Sequence, residues 1–133
     1  MVAIYSSDLL GTKQTAEILN KDLGLPVYYD ARLRERGFGS LEGKEWSSFD
    51  PDGSLHQKDD RQEYDYRSFG GESVEDVKHR LFASFKDIVQ KEGGQPVLIV
   101  AHGGVIRLLQ HLYGRDVERL IRNGSVHEFN LNI

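Results

Sequence analysis

The chain has 133 residues, a formal charge of −4, 38% hydrophobic and 29% charged residues, and no cysteine. This size suits one domain with a single core, and the composition is that of an ordinary globular protein, for which we expect a cytoplasmic location. The negative charge argues against a general binder of nucleic acid or anionic membranes. No apolar run is long enough to span a membrane. The lack of cysteine excludes disulfides and thiolate catalysis.

The N-terminal segment has the pattern of a βαβ unit. Short apolar runs predict a buried strand at 2–5 and a second strand at 26–30. The helical spacing of apolar residues between them predicts a helix that Ser7 or Asp8 would cap and Gly24 would end. Two strands joined by a helix pair in parallel, with a right-handed crossover.

The middle of the chain is divided into a glycine-rich segment and a regular helix. Residues 31–72 are expected to form a long excursion with one or two short helices, which could act as a lid, because long loops in compact domains tend to be functional. Ser73 with Asp76 then has the form of a capping box, and the apolar stripe that follows predicts a helix ending at Gly93.

The C-terminal third is expected to begin with a buried strand at 97–101 and a helix that runs to about residue 113. Residues 116–122 have the pattern of a short helix, and the alternation over 127–133 predicts a half-buried strand. The fold class that follows is α/β: three α/β/α layers around a mostly parallel sheet, in a single domain over residues 1–133.

Two strand-to-helix junctions carry polar residues that could bind a ligand. Parallel sheets bind ligands at the carboxyl ends of their strands, where Ser7 follows the first strand and His102 and Gly103 follow the last. Helix N-termini offer free N–H groups and a positive dipole end, so both junctions suit an anion such as phosphate. The alternative is that His102 is a core histidine bonded to a neighbouring carbonyl. No histidine pair has a zinc spacing, and neither metal nor cofactor is expected.

Four blocks occur in the order and approximate spacing of a known family: IYSSDLLGTKQTAEIL, LRERGFGSLEGK, FGGESVEDVKHRLF and VLIVAHGGVIRLL. They resemble the phosphoglycerate-mutase-like branch of the histidine phosphatase superfamily, and NGSVHEFNL is similar to its closing strand. The resemblance implies phosphoryl transfer from a phosphomonoester through a phosphohistidine. It also implies that His102 matches the second phosphate-binding histidine and Glu35 the acid that protonates the leaving oxygen. By its local sequence alone, Glu35 between Arg34 and Arg36 would be a surface ion-pair residue.

Two phosphate ligands of that family have no counterpart in the chain. No Arg-His-Gly sequence occurs, and Gly11 stands where the resemblance places a phosphate-binding arginine. Because loss of a nucleophile removes most of the acceleration of a catalytic set, we expect the chain to bind phosphate or a small phosphorylated ligand without turnover, as a pseudoenzyme or as part of a longer active protein. The alternative is a non-catalytic module that binds a phosphorylated ligand or a protein on the same scaffold.

The first strand of the family is also missing from the matched blocks, and its loss would leave backbone groups unpaired inside the sheet. The closing strand at 127–133 could shift inward to pair with 97–101. A second copy could instead supply a strand, giving a homodimer with or without strand exchange. The third possibility is an N-terminally truncated piece of a longer protein. We expect a dimer.

Overall fold

The structure is a computed structural model that describes residues 1–133. Its strands and α-helices in chain order are β1 (Ile4–Ser6), α1 (Leu10–Leu23), β2 (Val27–Tyr29), α2 (Trp46–Phe49), α3 (Ser54–Asp60), α4 (Val74–Glu92), β3 (Leu98–Val100) and α5 (Gly103–Leu112). Short 3-10 turns lie at Ala31–Leu33, Gly39–Leu41 and Arg67–Phe69. None of these helices combines the length and the apolar composition that crossing a membrane requires.

The three strands form one parallel sheet in the order β2-β1-β3, which confirms the α/β class. In the central strand, Ile4 is in register with Val27 of β2 and with Leu98 of β3. The chain leaves β1 for one neighbour and later passes to the strand on the other side. Right-handed crossovers therefore place α1 on one face of the sheet and α4 on the other.

The main core lies on the sheet face that α4 and α5 cover. Its members come from β1, from these two helices and from the middle segment: Ala3, Tyr5, Leu33, Leu41, Tyr64, Tyr66, Val77, Leu81, Phe85, Ile88, Val105, Leu108 and Leu109. The predicted excursion at 31–72 contains two short α-helices, as expected, and also contributes buried side chains to this core. The capping box of α4 is confirmed, with Asp76 N–H donating to Ser73 Oγ and Ser73 N–H donating to the Asp76 carboxylate.

The N-cap predicted for α1 is wrong. The helix has Leu9 at its N-cap, and no side chain makes a capping hydrogen bond there. Ser7 Oγ lies 2.9 Å from His102 Nε2, while the Asp8 carboxylate accepts two hydrogen bonds from Arg34. Both candidate caps are therefore used in contacts with residues far away in the sequence.

The short helix predicted at 116–122 does not form. The backbone of Glu118 instead bonds to side chains of α5. Its N–H donates to Gln110 Oε1 at 3.1 Å, and its carbonyl accepts from Arg107 Nε at 3.0 Å. Because the N–H and carbonyl of Glu118 already have hydrogen-bond partners on α5, forming the backbone hydrogen bonds of a helix at 116–122 would gain nothing.

The strand predicted at 127–133 is also absent, and this segment does not shift inward to pair with β3. Phe129 and Leu131 are half-buried against the core, so the alternating pattern reflects packing. No backbone hydrogen bond joins this segment to residues 97–101. β3 is consequently an edge strand with one open side.

A buried carboxylate joins three parts of the fold. Asp59 is 2% exposed and accepts hydrogen bonds from Arg36 Nε and Nη2 at 2.9 Å and from the Tyr66 hydroxyl at 2.6 Å. Arg107 Nη1 of α5 lies 3.4 Å from the same carboxylate. Burial, with the hydrogen bond to Asp59 next in importance, raises the pKa of Tyr66. Asp59 thus holds α3 against both the loop after β2 and α5.

We expect Asp59→Asn to lower the free energy of unfolding by about 1.5–3 kcal/mol, because Arg36 and Arg107 lose a shared counter-ion but keep Glu35 and Asp60 as second partners. The matched control is Asp65→Asn, which breaks an exposed pair with Arg67 and should cost far less. Urea unfolding followed by the fluorescence of Trp46, the only tryptophan, measures both variants. If both variants lost the same small amount of unfolding free energy, a structural role for the Asp59 cluster would be contradicted.

Candidate functional site

The carboxyl ends of β1 and β3 bring Ser7 and His102 into contact. Ser7 N–H donates to the Val100 carbonyl at 2.9 Å, and Ser7 Oγ lies 2.9 Å from His102 Nε2. Ser7 is buried, whereas His102 is half-buried at the surface of the junction. The partner of the imidazole is therefore a hydroxyl, not the backbone carbonyl that a core histidine would use.

His102 is also the N-cap residue of α5, so the first-turn amides of this helix lie beside its imidazole. The N–H of Gly104 donates to Glu35 Oε2 at 2.9 Å. A Cβ at Gly104 would overlap the Glu35 carboxylate and the Arg36 guanidinium, so a larger residue there would displace this contact. The N–H of Gly103 makes no hydrogen bond within the chain and is available to a ligand.

Glu35 reaches this helix end from the loop that follows β2. Its carboxylate accepts the Arg36 N–H at 3.0 Å and lies 3.2 Å from Arg36 Nη1. Arg34, the other neighbour in the surface ion-pair interpretation, binds Asp8 instead. Since the Glu35 side chain is 29% exposed and bonded to α5, it lies at the mouth of the site and not on a free surface.

The electrostatics of the site favour a neutral imidazole when no anion is bound. Burial lowers the pKa of His102 from its ordinary value of 6.5, while the Glu35 carboxylate acts in the opposite direction. A neutral imidazole offers one N–H donor, and an anion beside it would raise the pKa. Together with the positive end of the α5 dipole, this arrangement provides donors for a negatively charged ligand.

A cleft of about 870 Å³ opens beside Glu35 and the start of α5. One wall contains Trp46 and His56, whose rings meet edge to face at 4.7 Å, and another contains Arg119. No sequence motif marks these cleft residues, and only the turns of the chain bring them together. No group of three or more histidine or carboxylate side chains is arranged to hold a metal ion.

Gly11 lies in the first turn of α1, close in sequence to Ser7. A Cβ built at Gly11 has no atom within 4 Å. The position is exposed and would accept a larger side chain without displacing its neighbours.

Comparison with known proteins gives a consistent result. The sequence profile described as histidine phosphatase superfamily (branch 1) matches residues 1–132. Phosphoglycerate mutase-like protein 4 of Arabidopsis thaliana is 35% identical over 135 residues, which cover 96% of this chain and 58% of that protein. The chain thus spans little more than half the length of this relative.

Solved structures show the same fold. Bacillus stearothermophilus YhfR has a TM-score of 0.72 and 33% identity, covering 88% of this chain and 59% of its own. A mycobacterial glucosyl-3-phosphoglycerate phosphatase, solved with inorganic phosphate, has a TM-score of 0.67 and 35% identity, covering 86% of this chain and 60% of its own.

We expect the imidazole of His102 to titrate below 6.5 in the free chain, and Glu35→Gln to lower this pKa further by removing the carboxylate that raises it. NMR titration of the imidazole resonances, assigned with a His102→Ala variant, measures both values. The folded chain disfavours the charged ring, so its His102 pKa lies below the value of 6.5 in the unfolded chain. The contribution of neutral His102 to the free energy of unfolding is therefore fully present above pH 6.5, and it is lost as the pH falls through the folded-state pKa. A pKa at or above 6.5 in the free chain would contradict this description.

Proposed function

We propose that this chain, which belongs to branch 1 of the histidine phosphatase superfamily, binds the phosphoryl group of a small phosphomonoester where β1, β3 and α5 meet. The observation that carries the proposal is the convergence of Ser7, His102 and Glu35 on the N-terminus of α5. Helix N-termini bind anions through free amides and the dipole. A relative of the same fold has been solved with inorganic phosphate, which supports the ligand class.

The geometry suggests a role for each group. The imidazole of His102, protonated once an anion is bound, would donate its Nδ1–H to a phosphoryl oxygen, and the N–H of Gly103 would donate to another. Ser7 Oγ, which is buried, would accept the Nε2–H of the same ring and hold it in place. If a nucleophile from outside this chain attacked phosphorus, the protonated form of Glu35 would give its proton to the leaving-group oxygen as the bond of that oxygen to phosphorus breaks, since this side chain lies at the same helix end and borders the cleft. The rest of the ligand would extend into that cleft, past Trp46.

We further propose that the 133-residue polypeptide binds this ligand without hydrolysing it. No second imidazole lies beside His102, and Gly11 contributes no guanidinium group. His56, which lines the cleft, is held by Asp60 at 3.2 Å and by its contact with Trp46. The site would support hydrolysis only if residues outside this chain supplied a nucleophile. A cytoplasmic location, which suits a chain with no cysteine, is part of the same proposal.

With p-nitrophenyl phosphate, we expect turnover no higher than that of a His102→Ala control. Calorimetry with inorganic phosphate should show saturable binding that the same substitution weakens at least about tenfold, because charged-acceptor hydrogen bonds contribute about 1.5–3 kcal/mol. Turnover that disappears in His102→Ala would contradict the inactive state. Absence of saturable phosphate binding would contradict the ligand class and leave a protein-binding module as the alternative.

Gly11→Arg is expected to strengthen phosphate binding severalfold, with Gly11→Ala as the matched control. Both substitutions should stabilise α1 by up to about 1 kcal/mol, because glycine is a poor helix former. Only the arginine adds a charge near the first junction, so only its gain in affinity should shrink with added salt. Calorimetry in low and high salt compares the two. Equal affinities would show that this helix turn does not face the bound anion.

We also propose that two copies associate through the open side of β3. The N–H groups of Val97 and Ala101 have no partner within the chain. At the opposite edge of the sheet, Lys13 and Lys91 stand over the tyrosine rings of β2, which places two charges beside that strand. Residues 97–101 carry no charge, so an antiparallel copy would meet no repulsion along the strand.

Light scattering at micromolar concentration should give a mass of twice 15.1 kDa for this dimer. A Val97→Pro variant, which removes one outward N–H donor, should shift the equilibrium toward monomer. A native mass of 15.1 kDa across the micromolar range would contradict the dimer.

A further inference from the structure

Arg80 of α4 binds the backbone of the loop that carries Glu35. Its Nη1 donates to the carbonyl of Arg32 at 2.7 Å and to that of Arg34 at 2.8 Å. Its Nη2 donates to the carbonyl of Glu35 itself at 3.1 Å. One guanidinium group therefore satisfies three carbonyls within four residues of chain.

Glu72 completes this attachment. Its carboxylate accepts Arg80 Nε at 2.8 Å and Nη2 at 3.0 Å, and it also accepts the N–H of Gly37 at 2.8 Å. Although burial acts in the opposite direction, hydrogen bonds from Arg80 and Gly37 lower the pKa of Glu72. The Arg80–Glu72 pair thus fixes backbone groups on both sides of Glu35.

The segment around Glu72 is itself held against the loop. A Cβ at Gly71 would overlap the carbonyl of Gly37, and a Cβ at Gly39 would overlap the carbonyl of Phe69. The two backbones therefore pack directly against each other, which only glycine permits. Downstream, Arg80 stands on a helix of 19 residues that begins with a complete capping box, so the attachment has a rigid support.

We propose that Arg80, with Glu72 as its counter-ion, is a positioning residue that holds Glu35 against the N-terminus of α5. Arg80 acts through backbone carbonyls, while the side-chain bonds of Glu35 go to Gly104 and Arg36. A lysine would keep the charge but lacks the planar fork that reaches three carbonyls and a carboxylate together. The value of this placement for the bound phosphoryl group rests on the proposed function, whereas the placement itself does not.

The test uses the Gly104 amide, which reports on Glu35 directly. In Arg80→Lys, we expect the Gly104 resonance in an amide NMR spectrum to move most of the way to its position in Glu35→Ala. Its exchange with solvent should rise by about tenfold or more, since that hydrogen bond opens locally. The His102 imidazole should also titrate at lower pH, because lysine keeps the positive charge by which Arg80 lowers the pKa of His102, while the nearby carboxylate no longer favours the charged ring. General destabilisation of α4 would produce neither local signature.

The control is Arg32→Lys, which alters another arginine paired with carboxylates of Asp30 and Asp87 but leaves the carbonyls bound by Arg80 in place. This control should leave the Gly104 resonance unchanged. If Arg80→Lys does not fold, Glu72→Gln decides the question, and we expect it to shift Gly104 in the same direction. An unmoved Gly104 resonance in a folded variant, or an equal movement in Arg32→Lys, would overturn the proposal. None of these measurements needs phosphate, so a failure of ligand binding is recognised separately.

Discussion

The parallel pairing of β1 with β3 is the constraint on which the rest of the structure depends. Parallel strands end at the same edge of a sheet, so Ser7 and His102 meet at 2.9 Å although 95 residues separate them in sequence. The chain then turns directly into α5, whose unpaired Gly103 N–H and positive dipole end lie at the same edge. The proposed anion site at this position would follow from strand direction and needs no specialised loop.

Glu35 is placed by a different principle, because it lies on a loop and not at the end of a strand. The residues on both sides of it bind carboxylates, with Arg34 paired to Asp8 at the surface and Arg36 to Asp59 in the interior. Exposed pairs contribute little to stability, whereas a buried charge left without its partner is costly. The interior pair therefore does more than the surface pair to define the position of this loop, and the backbone attachment to α4 adds to it.

Local sequence patterns correctly predicted the helices that are stabilised by residues close together in the sequence. The capping box at Ser73, the glycine ends of α1 and α4 and the apolar stripe of α4 all gave helices near the expected boundaries. The failures occur where polar groups are used over long distances, as in the Ser7 cap and in residues 116–122, whose backbone bonds to α5. The resemblance to a family singled out Glu35 and His102. Nothing local identified Asp59, Glu72 or Arg80, since their partners are defined only by the tertiary fold.

The central claim is that an anion binds at the start of α5 between His102 and Glu35. An amide NMR titration with inorganic phosphate addresses it most directly, because it reports every backbone position at once. Saturable shifts concentrated at Gly103, at Gly104 and in the first turn of α1 are the predicted result. Shifts that map to another surface, or that grow linearly without saturation, would contradict the claim.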